Sequence, residues 1–180
     1  MSRPSIRTWR CQPEGGAVSV EPRIVLGIDP GLATTGYGVL SASGGRISLL
    51  DAGVIRSRRS LPLPARLAEL HDGLLSVIEA FHPSVMGLEE IYSHYAHPVT
   101  AISMAHARGV FCFAAQKAGL RMISLPATTI KKLVTGNGRA SKQQVAGMVA
   151  RLLGIAHAEG PFDVTDALAA AIAAVESERQ

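Results

Sequence analysis

A short run of apolar and β-branched residues, RIVLGID, occupies Arg23–Asp29 and is stopped by Pro30-Gly31. A run of this length that is apolar on both alternating faces predicts a strand buried on both sides, inside a sheet rather than at its edge. Four more strand-like runs follow, with a hairpin signal, Ser-Gly-Gly, between the first two. They span residues 37–41, 47–56, 85–90 and 121–125.

Helices are predicted between and after these runs from apolar spacing, capping residues and terminal glycines. Ser141 is placed to cap the fourth helix. The predicted helices span residues 64–81, 100–118, 128–135, 141–153 and 163–177. Three leading strands followed by alternating helices and strands predict an α/β fold, in which a mixed five-stranded sheet carries helices on both faces.

The length of 180 residues fits one domain. Residues 1–22 contain several prolines and a Gly-Gly pair without a periodic apolar pattern, so they are predicted to be a mobile N-terminal extension. Residues 23–177 are predicted to form the folded domain. Apolar residues make up 47% of the chain, which is enough for a sizeable core.

The sequence gives no sign of a membrane or secreted protein. No stretch approaches the roughly 18 consecutive apolar residues that a membrane span needs. The basic N-terminus is not followed by the apolar run of a secretory signal. Two cysteines, Cys11 and Cys112, are too few for a disulfide framework or a cysteine metal cluster. We therefore expect a soluble, cytoplasmic protein.

Basic residues are concentrated in one part of the chain. No Asp or Glu occurs in residues 91–158, although soluble surfaces usually mix both signs. The basic residues of this segment are Arg108, Lys117, Arg121, Lys131, Lys132, Arg139, Lys142 and Arg151. A positive surface of this kind suits a polyanion such as nucleic acid. The alternative is a set of solvated helix faces without a common partner.

Acidic residues stand at the ends of predicted elements. Asp29 ends the first strand, Glu89 ends a later one, and Asp163 and Asp166 lie three apart at the start of the last helix. Sites in open α/β sheets gather at the carboxyl ends of strands. Carboxylates that converge there repel one another unless divalent cations neutralise them, and Mg²⁺ prefers such oxygen ligands. Two such ions about 3.5–4 Å apart can activate a water and stabilise the leaving oxygen of a phosphodiester.

Each acid also has a purely structural explanation. Asp29 begins a good turn sequence, and Asp163 at an N-cap with Asp166 in the first turn suits a helix N-terminus. Glu89 and Glu90 point to opposite faces of a strand that is buried on both faces, so periodicity does not choose between them.

Four motifs together resemble a known family. IVLGIDPGLATTGYGVL, GLEEIY, ATTIKKLVTGNGRASKQQV and DVTDALAAAIA occur in the order and spacing of the RuvC Holliday-junction resolvases, over residues 23–175. The resemblance implies a ribonuclease H-like fold and a homodimer that makes paired symmetric nicks in a four-way junction, in homologous recombination and DNA repair. It further implies two Mg²⁺ ions per active site, with Mn²⁺ as an alternative, and products with 5′-phosphate and 3′-hydroxyl ends. The RuvA–RuvB branch-migration complex is the implied partner.

The resemblance also assigns residues. It implies that Asp29, Glu89, Asp163 and Asp166 are the metal-binding catalytic acids, and it selects Glu89 because the family's acid opens that motif. Lys142 is expected to compensate charge on the scissile phosphate. The expected DNA-binding residues are Tyr92, Lys131, Lys132, Arg139 and Lys142. Tyr92 stands where the family has a base-stacking phenylalanine.

Three other functions remain open at this point. Another ribonuclease H-like nuclease, acting on RNA–DNA hybrids or flaps, would share the acids but work as a monomer. A non-catalytic junction-binding protein would use the basic segment and keep the acids for structure. An actin-like nucleotide-binding module is suggested only by GIDPGLATTG and needs a longer chain.

Overall fold

The computed structural model describes residues 21–90, 98–155 and 162–179. These residues form five strands and five helices. The strands are β1 (Arg23–Asp29), β2 (Thr34–Ser43), β3 (Arg46–Arg56), β4 (Val85–Glu89) and β5 (Arg121–Leu125). The helices are α1 (Leu63–Phe81), α2 (Pro98–Lys117), α3 (Ala127–Thr135), α4 (Lys142–Leu153) and α5 (Phe162–Ser177). Every predicted element is present, with ends that differ by a few residues at most.

The strands form one mixed sheet in the order β3-β2-β1-β4-β5. β1 pairs antiparallel with β2, which pairs antiparallel with β3, whereas β4 runs parallel to both β1 and β5. The carboxyl ends of β1, β4 and β5 therefore lie at the same edge. β2 begins at Thr34 instead of residue 37 because Thr34 pairs with Arg56 on β3. The predicted hairpin turn is confirmed, since Gly44 and Gly45 both have positive φ.

The sheet separates two hydrophobic cores, as expected for helices on both faces. Leu26 and Ile28 of β1 pack with residues of α1 and α2, including Leu74 and Phe111. Val25 packs on the other face with residues of α3, α4 and α5. The alternation along β1 follows from the period of two in strands. No helix in the described segments is long and apolar enough to cross a membrane.

Helix α5 lies unusually close to the sheet because glycines face it. A Cβ at Gly27 would collide with the backbone of Ala167, and a Cβ at Gly87 would come within 2.5 Å of the Ala170 carbonyl oxygen. Residues Ala167 to Val175 of α5 are all buried. Backbone-to-backbone contact of this kind needs glycine on the strands and alanine on the helix.

Helix α4 begins with the predicted cap. The Ser141 hydroxyl accepts a hydrogen bond from Gln144 N, and the Gln144 side chain accepts one from Ser141 N. This reciprocal capping box satisfies two amides at the helix start. Gly154 ends α4 in the left-handed conformation. The cap fixes the first residue of α4, Lys142, beside the carboxyl edge of the sheet.

Candidate active site

A cleft of about 750 Å³ opens at the carboxyl edge of the sheet. Its walls come from the turn after β1, the end of β4 and the starts of α3, α4 and α5. All four predicted acids and two of the predicted basic residues line it: Asp29, Glu89, Asp163, Asp166, Lys131 and Lys142. Residues far apart in the sequence thus converge on one site.

The strands place Asp29 and Glu89 on the same face of the sheet. Asp29 lies two residues after Gly27, and Glu89 two residues after Gly87, and these two glycines pair directly with each other. Because side chains alternate along a strand, both acids point to the face that α5 covers. This register selects Glu89 as the acid on the α5 face, which apolar periodicity alone left open.

The start of α5 supplies the other two acids. Gly36, the partner of Asp29 in the β1–β2 ladder, lies directly against the carbonyl group of Asp163. This contact brings the beginning of α5 to the end of β1. The helix begins at Phe162, so Asp163 lies inside the first turn and not at the predicted N-cap position. Asp166 follows three residues later on the same side of the helix.

The acids influence one another electrostatically. The pKa of Asp29 is raised from 3.8 to about 7, mainly by burial and then by the negative charges of Asp166, Glu89 and Asp163, in that order, while Lys142 acts to lower it. Loss of hydration and like charges both favour the protonated form. Because three other acids act on the pKa of Asp29, all four acids occupy one electrostatic environment.

Glu89 has a related environment. Burial is the largest cause that raises its pKa, and the charge of Asp166 adds to it. Lys142 and Lys131 act in the opposite direction. The two lysines therefore lie near enough to the acids to offset part of their negative charge.

Lys142 forms the direct ion pair of the site. Its ammonium Nζ donates a hydrogen bond of 2.7 Å to Asp166 Oδ2. This hydrogen bond is the largest cause that raises the pKa of Lys142, and the charges of Asp29 and Glu89 contribute as well. The Lys142 side chain is 65% exposed, so its ammonium group stays accessible from the cleft.

The donor set fits a hard divalent cation. Four carboxylates share one cleft, and burial together with the charges of the other three raises the pKa of Asp29 to about 7. Oxygen donors of this kind match Mg²⁺ or Mn²⁺ better than softer metals. Within residues 21–90, 98–155 and 162–179, however, no three His, Cys, Asp or Glu side chains are grouped tightly enough to hold an ion as they stand. The acids surround the cleft without forming a closed coordination shell.

The predicted DNA-binding residues divide into three groups. Lys131 and Lys142 line the cleft. Lys132 and Arg139 are exposed on and after α3 but do not line it. Tyr92 lies outside the described residues.

Arg108 shows that the acid-free segment is not uniformly a DNA-facing surface. Its guanidinium donates to Ser124 Oγ at 2.9 Å and to the carbonyl oxygen of Glu89 at 3.4 Å. Arg108 thus connects α2 to the carboxyl ends of β4 and β5. Its bonds make it a structural residue behind the cleft.

Sequence reasoning missed two basic residues that line the cleft. Arg59 lies between β3 and α1, and Arg66 lies in α1. Both precede the acid-free segment, so the charge pattern did not point to them. The run RSRR after the third strand was the available signal.

Comparisons with known proteins point to one family. Residues 25–174 match the family model for crossover junction endodeoxyribonuclease RuvC. The chain is 50% identical over 145 residues to a crossover junction endodeoxyribonuclease RuvC of Rhodopirellula baltica, covering 81% of this chain and 82% of that protein. It is 39% identical over 149 residues to the Desulforamulus reducens enzyme of the same name, covering 83% of this chain and 91% of that one.

A solved structure gives the same answer. T. thermophilus RuvC in complex with a Holliday junction substrate superimposes with a TM-score of 0.82 at 30% sequence identity, covering 87% of this chain and 95% of that one. The mixed sheet is thereby that of the ribonuclease H-like resolvases. With the family model matched over nearly the whole described fold, this chain belongs to the RuvC family of crossover junction endodeoxyribonucleases.

Proposed function

We propose that this chain resolves four-way (Holliday) DNA junctions by hydrolysing one phosphodiester bond in each of two opposed strands. The products would carry 5′-phosphate and 3′-hydroxyl ends. The observation that carries the proposal is the convergence of four carboxylates and Lys142 on one cleft. Membership of the family supports the substrate, since a relative is known in complex with a Holliday junction. Residues 23–177 are proposed to form the catalytic unit.

Asp29, Glu89, Asp163 and Asp166 are the residues that would hold two Mg²⁺ ions, or Mn²⁺ in their place. Ions bound there lower the pKa of water and stabilise the leaving oxygen of a phosphodiester. This assignment is supported by the burial of Asp29 and by the negative charge of the three neighbouring acids, which together raise the pKa of Asp29 to about 7. Among the described residues that line the cleft, only two lysines and two arginines carry positive charge that could offset the negative charge of the carboxylates.

The chain's own groups perform the remaining tasks. The Lys142 ammonium lies beside Asp166 and is accessible, so it can stabilise the charge that develops on the scissile phosphate. Lys131 adds a second positive charge on the same wall. Asp163 is proposed to accept a hydrogen bond from the attacking water and orient it. Asp29, whose pKa is raised by all three other acids, would be the carboxylate that the two ions share.

A homodimer is proposed to supply the second active site. α2 exposes apolar side chains that a soluble helix would normally bury: Ile102 is 57% and Phe113 61% exposed. A groove of about 510 Å³ between α1 and α2 continues this surface, and Leu67, Val110 and Phe113 line it. A second copy on this face would bury these groups. Two-fold symmetry would then present two equivalent clefts to two like strands.

The experiment compares Asp29→Asn with the wild type on a labelled four-way junction and on linear duplex, RNA–DNA hybrid and flap controls in Mg²⁺. Loss of junction cleavage with binding retained is expected. Asp72→Asn is the matched control, because Asp72 is an exposed acid on α1 outside the cleft. Unchanged cleavage by Asp29→Asn would contradict the assignment, and preferred cleavage of the hybrid or flap would favour the other nuclease.

Two further expectations are proposed, one for the partner and one for the location. The partnership with the RuvA–RuvB complex is proposed because family members act on the same junction. A cytoplasmic location is proposed because that is where the DNA substrate lies.

A further inference from the structure

Two arginines place positive charge on the side of the cleft opposite the lysines. Arg59 and Arg66 line the cleft together with Lys131 and Lys142. The lysines come from α3 and α4, which pack on the α5 face of the sheet. The arginines come from the β3–α1 connection and from α1, which packs on the other face. The carboxyl ends of β1 and β4, with their acids, lie between the two pairs.

Arg66 is held in place by Ser57, which itself bonds to the turn after Asp29. Its Nε donates to Ser57 Oγ at 3.1 Å. The Ser57 hydroxyl donates in turn to the Leu32 carbonyl oxygen at 2.5 Å, and Ser57 N donates to the Ala33 carbonyl oxygen at 3.2 Å. Ser57 is only 6% exposed, so this anchor is buried. One edge of the guanidinium is therefore fixed while Arg66 still lines the cleft.

The charges of both arginines are available to a ligand. Neither Arg59 nor Arg66 makes an ion pair with a carboxylate in the described part of the chain, although the charge of Arg66 is one of the causes that lower the pKa of Glu69. The neighbouring Arg58 differs, because its Nε binds Glu69 at 2.6 Å and it does not line the cleft. A guanidinium without a carboxylate partner beside a nuclease cleft suits a phosphate group, which it can bind through two N–H donors.

We propose that Arg59 and Arg66 bind the backbone phosphate next to the scissile one, on the side of the carboxylates opposite Lys131 and Lys142. This assignment rests on the proposed function, because it takes the cleft to be where a DNA strand is cut. A strand that crosses the carboxyl edge of the sheet has a scissile phosphate at the acids and flanking phosphates at the two basic pairs. By binding a flanking phosphate, the arginines would then fix the position of the strand relative to the carboxylates.

The test measures binding of a labelled four-way junction in EDTA, over a range of salt concentrations, for Arg59→Gln and Arg66→Gln. Each variant is expected to bind roughly tenfold more weakly, and the slope of log K against log salt should fall by about 0.7–0.9 for each lost phosphate contact. Arg46→Gln is the matched control: it removes the same charge from the exposed hairpin at the other end of the sheet. It should bind like the wild type.

A structural role for Arg66 is distinguished by two further variants. Arg66→Lys keeps the charge and should restore most of the salt slope. Ser57→Ala removes the anchor of the guanidinium but not its charge, so it should change binding less than Arg66→Gln. Loss of binding in Arg66→Lys equal to that in Arg66→Gln would overturn a role through phosphate charge.

A modified substrate identifies the phosphate. After the cut is mapped, a neutral methylphosphonate replaces the phosphate on either side of it in turn. At one of these two positions, the replacement should weaken junction binding by the wild type. The same replacement should not weaken binding by Arg59→Gln or Arg66→Gln any further. If the replacement weakened binding equally in the wild type and both variants at both positions, the assignment of the phosphate would be overturned. The proposed function would still stand, because it depends on cleavage of the junction. A different result would separate the two proposals in the other direction. If the wild type did not prefer the junction over other DNA, but the arginine variants still lost their contact with the flanking phosphate, the proposed function would fail and the phosphate assignment would hold.

Discussion

The Lys142 ammonium lies 2.7 Å from Asp166 Oδ2 and so connects the first residue of α4 with the start of α5. The capping box at Ser141 fixes the position of Lys142, and the glycine contacts of α5 fix the position of Asp166. A positive charge is thereby held beside four acids by two independent packing arrangements. This geometry supports the proposed action of Lys142 on a phosphate in the cleft.

Lys142→Gln is expected to lower single-turnover junction cleavage by roughly 10²-fold or more, because it removes a fixed donor beside the developing charge. Junction binding should change much less than the cleavage rate. Lys117→Gln serves as the control, since Lys117 is exposed at the end of α2 and does not line the cleft. A rate for Lys142→Gln equal to that of the control would show that the ammonium has no catalytic role.

Asp29 predicts a pH dependence of stability in the metal-free protein. Its pKa is about 7 when folded, against an ordinary 3.8, so the folded state binds the proton more tightly than the unfolded chain. The free energy of unfolding should therefore fall as the pH rises from about 4 through about 7. Asp29→Asn removes the buried charge and is expected to be more stable than the wild type above about pH 7, by on the order of 1–3 kcal/mol.

Urea unfolding of both proteins at about pH 5 and about pH 8 measures this difference. Added Mg²⁺ should stabilise the wild type at the higher pH more than it stabilises Asp29→Asn, because a ligand stabilises the state that binds it. An advantage of Asp29→Asn that is the same at both pH values would exclude titration of Asp29 as its cause.

Gly27→Ala is expected to destabilise the fold by roughly 1–3 kcal/mol or more, because its Cβ would collide with the Ala167 carbonyl oxygen. Cleavage should fall as well, since α5 carries two of the acids. Gly147→Ala is the control: a Cβ at this site in α4 meets no atom within 4 Å, so the change should stabilise by about 0.5–1 kcal/mol. Circular dichroism during urea unfolding gives both values, and equal effects would argue against the close packing of α5.

Phe113→Glu is expected to convert the proposed dimer to a monomer, because a charge would replace an aromatic side chain that is 61% exposed in the α1–α2 groove. Light scattering after size-exclusion chromatography measures the mass. The monomer should lose paired incision of the junction. Leu152→Glu on α4, at 42% exposure, is the control that should leave the mass unchanged. A Phe113→Glu protein that stays dimeric would place the interface elsewhere.

The order and type of the elements could be predicted from the sequence because local signals were strong. Pro30-Gly31 ends β1 at Asp29, and the Ser141 cap and Gly154 delimit α4 as predicted. The convergence of the acids came from the resemblance and from the rule that sites gather at the carboxyl ends of strands. The structure agrees, placing all four in one cleft.

Other features depend on contacts between distant segments and could not be predicted from local sequence patterns. The choice of Glu89 over Glu90 follows from register: Gly27 and Gly87 pair and share the α5 face. Apolar periodicity did not make this choice because β4 is buried on both faces, and before the structure only the resemblance selected Glu89. The cleft position of Arg59 and Arg66 depends on how α1 packs under the sheet, which no local pattern encodes.

Where α5 meets Gly27 and Gly87, main-chain atoms of the helix and the strands touch without intervening side chains. The separation between the main-chain positions that carry the strand acids and those that carry the helix acids is therefore set by peptide groups, which have no alternative rotamers. Substitutions elsewhere on the surface can alter DNA affinity, self-association or overall stability and still leave this spacing as it is. The cutting geometry of the enzyme can thus stay constant while its outer surface diverges.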